Sequence, residues 1–158
     1  AHVARAYQKP DWKPPIIMND GWYGSASPGA GPLYEGIVGI CGWDEENPVW
    51  SSAYREFTQW NGGKEPQHPE LFAIWYTIAT AALEGIALAP ILSTEGVRQG
   101  MERITMLPSA IGGPRSAINF NRWSHRGSGG CDLYVLRRIK DGKSVMEMRY
   151  DPMLAKQV

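Results

Sequence analysis

The chain has 158 residues and a mass of 17.5 kDa, enough for one domain with a real core and too little for two ordinary ones. Apolar residues make up 43% and charged residues 20%, with sixteen basic side chains balancing sixteen acidic ones, which excludes a disordered acidic tail, a uniformly hydrophobic membrane bundle and a bulk attraction to nucleic acid or lipid. Two cysteines exclude a disulfide-dense scaffold and a four-cysteine zinc site.

The chain opens at Ala1 with no basic and apolar leader, so any targeting segment is expected to have been removed already, although a cloning boundary explains the same start. Residues 9–32 are dense in Pro and Gly, which remove donors and weaken both helix and strand, so an extended arm over 1–33 is expected. That arm carries Trp12, Trp22 and Tyr23. Their rings expose large apolar area and suit a partner surface or the chain's own domain, which is expected to occupy 34–158.

Residues 34–40 read as a short buried strand or the approach to a turn at Gly42. From Asn47, Pro48 fits a first helical turn, and Val49, Trp50, Ala53, Tyr54, Phe57 and Trp60 follow at helical spacing. Asn61-Gly62-Gly63 supplies the stop, which predicts an amphipathic helix over about 48–60.

From Leu71 to Leu92 the only charged residue is Glu84, and the length matches the roughly 20 residues that cross a bilayer. A central acid costs up to ~3 kcal/mol there, so a span requires Glu84 to face protein, water or a ligand. Ala73, Thr77, Thr80, Ala81, Glu84 and Ala87 form one stripe of small and polar residues, which lets another helix approach closely. The same stripe suits a core helix in an α+β domain.

Ser93 and Thr94 are candidate caps for a shorter helix carrying Val97, Met101 and Ile104. Two strand-like runs, 133–139 and 144–150, flank Asp141-Gly142 and predict a C-terminal β-hairpin. Charge is segregated: residues 1–60 hold 4 basic and 7 acidic residues, 61–110 hold 3 and 5, and 111–158 hold 9 and 4. The last third is therefore a basic surface, on the positive-inside face if the helix spans a membrane. The fold class expected is α+β: an extended arm, a short amphipathic helix, one long apolar helix, a short helix and the hairpin.

Candidate chemistry is sparse. Cys41 followed by His125, with Asp132 or Asn119 as the orienting group, has the composition of a cysteine nucleophile and its base. The alternative is a buried apolar Cys41 and a surface His125. A Cys41–Cys131 disulfide is compatible with an oxidising compartment. His2, His68 and His125 are isolated, so no metal site is expected; His68 and Glu84 are the groups that a pigment or quinone would meet. No cofactor is identified. Arg122, Trp123 and Arg126 interleave charge and aromatic surface and suit partner contact, a protein rather than nucleic acid.

Trp22-Tyr23-Gly24, then Gly42-Trp43-Asp44 with Pro48 ahead of an apolar helix, resembles the segment leading into a helix of chlorophyll-binding light-harvesting proteins. That family's Glu-x-x-His/Asn-x-Arg helix motif is missing from 71–92, and no residue role is transferred. The leading expectation is a non-enzymatic accessory subunit of a membrane-embedded, energy-transducing complex, in contact with other subunits and with lipid. The alternatives are a small cysteine hydrolase or toxin using Cys41 and His125, and a soluble binding module with a basic C-terminal contact surface.

Overall fold

The computed structural model describes residues 15, 17–18, 34–127 and 133–149. The hairpin forms where Asp141-Gly142 directs it. Strands β5 (Val135–Lys140) and β6 (Lys143–Arg149) pair antiparallel, and Asp141 and Gly142 both hold positive φ, 53° and 70°. Two positive-φ residues give the loop the twist that matches the strands. Glu35 secures this turn from outside by accepting both of its backbone N–H groups, at 3.0 and 3.1 Å.

Strand β2 (Val38–Cys41) lies antiparallel to β5, with Val38 opposite Arg138 and Cys41 opposite Val135. A two-residue strand β1 (Ile17–Met18) pairs with β2 in parallel, completing a sheet ordered β1-β2-β5-β6. This strand corrects the expectation of an arm without regular structure, since Ile17 and Met18 take ladder hydrogen bonds that the β2 edge offers. The rest of that arm, with Trp12, Trp22 and Tyr23, lies outside the described residues. Residues 34–40 also divide, a turn at 34–36 preceding the strand.

Helix α1 (Pro48–Trp60) begins as the spacing predicts, with Asn47 as cap and Pro48 in the first turn, and stops at Asn61. Gly62 and Gly63 follow with positive φ, and Gly63 N donates to Thr58 O at 2.8 Å to close the last turn. Helix α2 (Pro69–Ala87) is shorter than the expected 71–92. It cannot continue through Pro90, whose ring and missing donor break the ladder, so Leu88 caps it and Ile91 and Leu92 leave the helix. Ser93 then caps α3 (Thr94–Met101) through Gly96 N at 3.0 Å.

The small-residue stripe on α2 is where that helix packs. Ala73, Thr77, Ala81 and Gly85 are buried along it, while Thr80 and Glu84 are half-buried and Ala87 is exposed. At its C-terminal end α3 crosses so closely that a Cβ on Gly100 would fall 2.0 Å from Gly85 O. The close helix approach expected of a membrane pair is therefore made inside one chain.

The core joins sheet and helices through Tyr34, Ile37, Cys41, Trp43, Trp50, Ala73, Ala110, Val135 and Ile139. Rings carry it outward: Trp43 against Trp50 at 5.2 Å, Trp50 on Tyr54 at 4.6 Å, and Tyr54 edge-on to Phe72 at 5.8 Å. Offset and edge contacts of this kind are worth about 0.5–1.5 kcal/mol each beyond the buried area. A second two-stranded sheet, β3 (Leu107–Pro108) with β4 (Ala117–Ile118), follows α3.

Candidate functional site

Two features stand out, one at the carboxyl end of β2 and one joined to it through Asn47. The first is a charged loop, residues 42–47. Asp44 is fully buried and receives Arg149, Nε at 2.5 Å and Nη2 at 2.9 Å, with Glu46 N at 2.9 Å. Burial raises its pKa, but the Arg149 hydrogen bonds, the Glu46 amide and the nearby positive charges outweigh that and hold it below the usual carboxylate range. Glu45 grips the Arg137 guanidinium with both oxygens, at 2.7 and 2.5 Å. Arg137 is wholly buried at an inward position of β5, lies 3.8 Å from the Trp43 ring centroid and donates to Ser144. A buried guanidinium needs its donors filled and its charge opposed, and this cluster does both.

These bonds explain the segregation of charge along the chain. The basic last third closes on the acidic first third: Arg149 on Asp44 and Glu46, Arg137 on Glu45. Arg138 pairs within the hairpin with Glu147 and also reaches Gly36 O. Part of what reads in the sequence as a basic contact surface is therefore spent on internal pairing.

Asn47 links this loop to the second feature. Its Oδ1 accepts from Val49 N and Trp50 N, at 2.9 and 3.1 Å, capping α1. Its Nδ2 donates to the carbonyls of Ser109, Gly112 and Gly113, at 2.9, 3.0 and 3.1 Å. The 109–113 loop is held from its other side by Thr77, whose Oγ1 accepts from Ala110 N at 3.1 Å and lies 3.4 Å from Ser109 Oγ. One buried amide thus orients a helix and a loop at once.

The second feature is an apolar cleft of about 490 Å³ between α2, α3 and residues of 109–127 and 133–134. Ile74, Ile78, Ile86, Met101, Ile118 and Phe120 dominate its walls, Thr77 and Ser109 are its polar floor, and Arg126 and Tyr134 stand at the rim. A volume of this size with few polar groups falls within the range of small-molecule sites.

The residues expected from the sequence scatter. Cys41 is buried in the core on β2, while His125 is exposed and 3.0 Å from Glu102. Asp132 and Cys131 lie outside the described residues. Thr77 is buried on the cleft floor; Thr80 returns its hydroxyl to Tyr76 O and Thr77 O. Glu84 borders a separate shallow depression with Arg103, and His68 precedes α2 4.0 Å from Glu70. Arg122 stacks on the exposed Trp123 at 4.3 Å, away from the cleft, and Arg126 is the one member of that group that reaches its rim. Asn47, Asp44 and Ser109 carry no sequence signal as site residues, and Arg137, which the sequence offers only as part of a basic contact face, is instead buried on Glu45. For Asn47 the available signal was its place before Pro48, which shows the cap but not the distant loop.

Neither a protein-family model nor a curated protein sequence matches the chain. Solved structures do. The leucine binding protein LivK of Thermotoga maritima aligns with TM-score 0.73 and 18% identity, over 96% of this chain and 41% of that one. A periplasmic binding protein type 1 from Bordetella pertussis aligns with TM-score 0.67 and 22% identity, over 92% and 42%. A branched chain amino acid ABC transporter structure from Thermus thermophilus with bound valine gives 0.65 and 14%, over 98% and 44%. The likeness is one of fold, and the chain spans about two fifths of the length of the structures it matches.

This fold overturns the expectation of an accessory subunit in a membrane-embedded complex, and the transmembrane assignment of 71–92 with it. Helix α2 is long and apolar enough to cross a bilayer by length and composition. In this fold it is a packing helix instead, with its small-residue face taken by α3 and the 109–111 turn. Helices that are apolar on most sides are built for the middle of a protein as much as for lipid.

Proposed function

We propose that the chain is part of an extracytoplasmic substrate-binding protein, which captures a small amino-acid-like solute and hands it to an ABC transporter. The observation that carries this reading is the alignment with the leucine binding protein over 96% of the chain. The valine in the Thermus thermophilus structure points the same way for ligand class. The role is reversible binding, so it asks for a shaped and desolvated pocket and not for a nucleophile, which fits a Cys41 held in the core.

The carboxyl end of β2 carries the 42–47 loop. Trp43 brings to it a buried indole N–H with no acceptor among the described residues. Such a donor is costly unless something accepts from it.

Titration calorimetry tests the reading, using the whole translation product of the gene. L-Leucine, L-isoleucine and L-valine are expected to bind with a dissociation constant on the order of 1 μM or tighter, near −8 kcal/mol. Charged amino acids and sugars should give no heat. Silence with all amino acids, together with salt-sensitive binding of a polyanion, would favour the basic-surface module instead.

A further inference from the structure

We propose that the turn at 121–124 and the shallow depression beside it form a docking surface for a partner protein, which engages it through a segment carrying acidic side chains next to an apolar one. The inference goes beyond solute capture and does not rest on it.

The turn is built to hold its tip still. Asn121 and Ser124 exchange backbone hydrogen bonds, each N–H donating to the other's carbonyl at 3.1 Å. The Asn121 side chain fills the inside of the turn, its Oδ1 accepting from Trp123 N and Ser124 N, both at 2.9 Å. This local bonding to the backbone is what suits asparagine to turns. Both flanks are anchored. Phe120 N donates to Ile104 O at 3.0 Å and Asn119 N to Gly127 O at 2.8 Å, while His125 Nε2 lies 3.0 Å from Glu102 Oε1. Arg122 and Trp123, the two central residues, are therefore presented on a fixed frame.

Their side chains are turned to solvent. Trp123 is 82% exposed, and the Arg122 guanidinium lies over its ring at 4.3 Å with no hydrogen bond to the other described residues. Stacking holds the guanidinium flat and leaves its planar fork open to a carboxylate. The depression beside the tip is lined by Gln99, Glu102, Arg103, Asn121, Arg122 and Trp123. Glu102, its one acid, is already engaged by Arg98 and His125. Arg103 reaches only the Leu88 carbonyl, at 3.3 Å, and neither Arg103 nor Arg122 has a carboxylate within ion-pair distance among the described residues.

Uncompensated positive charge around one large ring defines the occupant. Binding energy at protein interfaces concentrates in Trp and Arg, and a turn already set in shape lowers the ordering cost of using them. A nucleic-acid strand asks instead for successive stacking rings along a basic groove, and a membrane surface for an apolar face of many residues. A single indole among Gln99, Asn121 and arginines is an anchor with a polar rim, which is the make-up of a protein contact.

Peptide selection tests the proposal. Short random peptides displayed on phage are selected on the whole translation product of the gene, with its Trp123→Ala variant as counter-target. Trp123→Ala and Arg122→Ala change exposed side chains that take no part in the hydrogen bonds of the turn, so both variants should unfold at the parent's temperature. The enriched peptides are expected to carry Asp or Glu beside an apolar residue and to bind with dissociation constants on the order of 10 μM. Either variant should weaken them roughly 10-fold, and so should raised salt, because the arginines lie in solvent. No enrichment would overturn the proposal, as would enriched peptides without acidic residues or peptides that bind Trp123→Ala as well as the parent. Trp123-dependent sedimentation with phosphatidylcholine–phosphatidylglycerol vesicles, or Trp123-dependent binding of oligo(dT), in place of peptide would assign the surface to lipid or nucleic acid and overturn it too. Calorimetry with L-leucine should read the same in Trp123→Ala and the parent, so this conclusion and the proposed function can fail separately.

Discussion

Asn47 is the position where one substitution separates two accounts of the same residue. A plain helix cap contributes about 1 kcal/mol, and Asp serves as well as Asn in that role. Here the side chain also donates from Nδ2 to three carbonyls of the 109–113 loop. Gly113 O keeps its bonds from Ser116 N and Oγ if Asn47 is lost, whereas Ser109 O and Gly112 O each lose a donor. An orphaned buried carbonyl costs about 1–3 kcal/mol, with the lower end applying if water enters the space left by the side chain. Asn47→Ala should therefore destabilise by about 3 kcal/mol, a shift of about 1.5 M in the urea midpoint for a slope near 2 kcal/mol/M. Asn47→Asp keeps the cap but turns a carboxylate oxygen towards carbonyl oxygens, and should be no more stable than Asn47→Ala. Urea unfolding followed by tryptophan fluorescence reads both. Recovery of Asn47→Asp to within about 0.5 kcal/mol of the parent would refute the reasoning, because the cap alone would then account for the residue.

Gly100→Ala should destabilise by at least ~1–3 kcal/mol, since its Cβ would meet the Gly85 carbonyl oxygen at 2.0 Å and backbone cannot rotate away; unchanged thermal unfolding would show that α3 does not sit that close. Removing Glu45 leaves the buried Arg137 guanidinium short of an anion. Because Glu45 is itself half exposed, Glu45→Ala should cost between the ~1 kcal/mol of a surface pair and the ~3–5 kcal/mol of a buried one, with Glu147→Ala near the surface value in the same denaturation assay. Asp44 has a depressed pKa in the folded state, so its contribution is fully present above its unfolded value near ~4 and is lost as pH falls through the lower folded value. The stability gap between the parent and Asp44→Asn should therefore be widest above about pH 5 and close towards pH 2; a gap that stays constant across that range would rule out the Arg149 pairing as its source.

Local structure was largely legible in the chain because local rules set it. Asn47-Pro48 and Asn61-Gly62-Gly63 bracket α1, Ser93 opens α3, and Asp141-Gly142 turns the hairpin, each through backbone preferences that act within a few residues. The far boundary of α2 is less legible, because Leu88, Ala89, Ile91 and Leu92 continue the hydrophobic pattern on either side of the Pro90 that the helix cannot pass. Its setting was missed for a different reason. Apolar length is the same property in a membrane span and in a core helix, and so is a close crossing of small residues such as Gly85 and Gly100; only the fold in which the helix is set distinguishes them.

Composition and pattern by themselves thus determined an α+β chain with its helix caps, its hairpin and its small-residue stripe. The tertiary structure decided which distant groups meet: the acidic 44–46 turn with Arg137 and Arg149, and Asn47 with carbonyls more than sixty residues away. Charge balance and hydrogen bonding carry no sequence periodicity, so pairs of that separation leave no local trace. The partner of α2 belongs to the same class of question, since an apolar face states that it must be covered, and only the arrangement in space says by what.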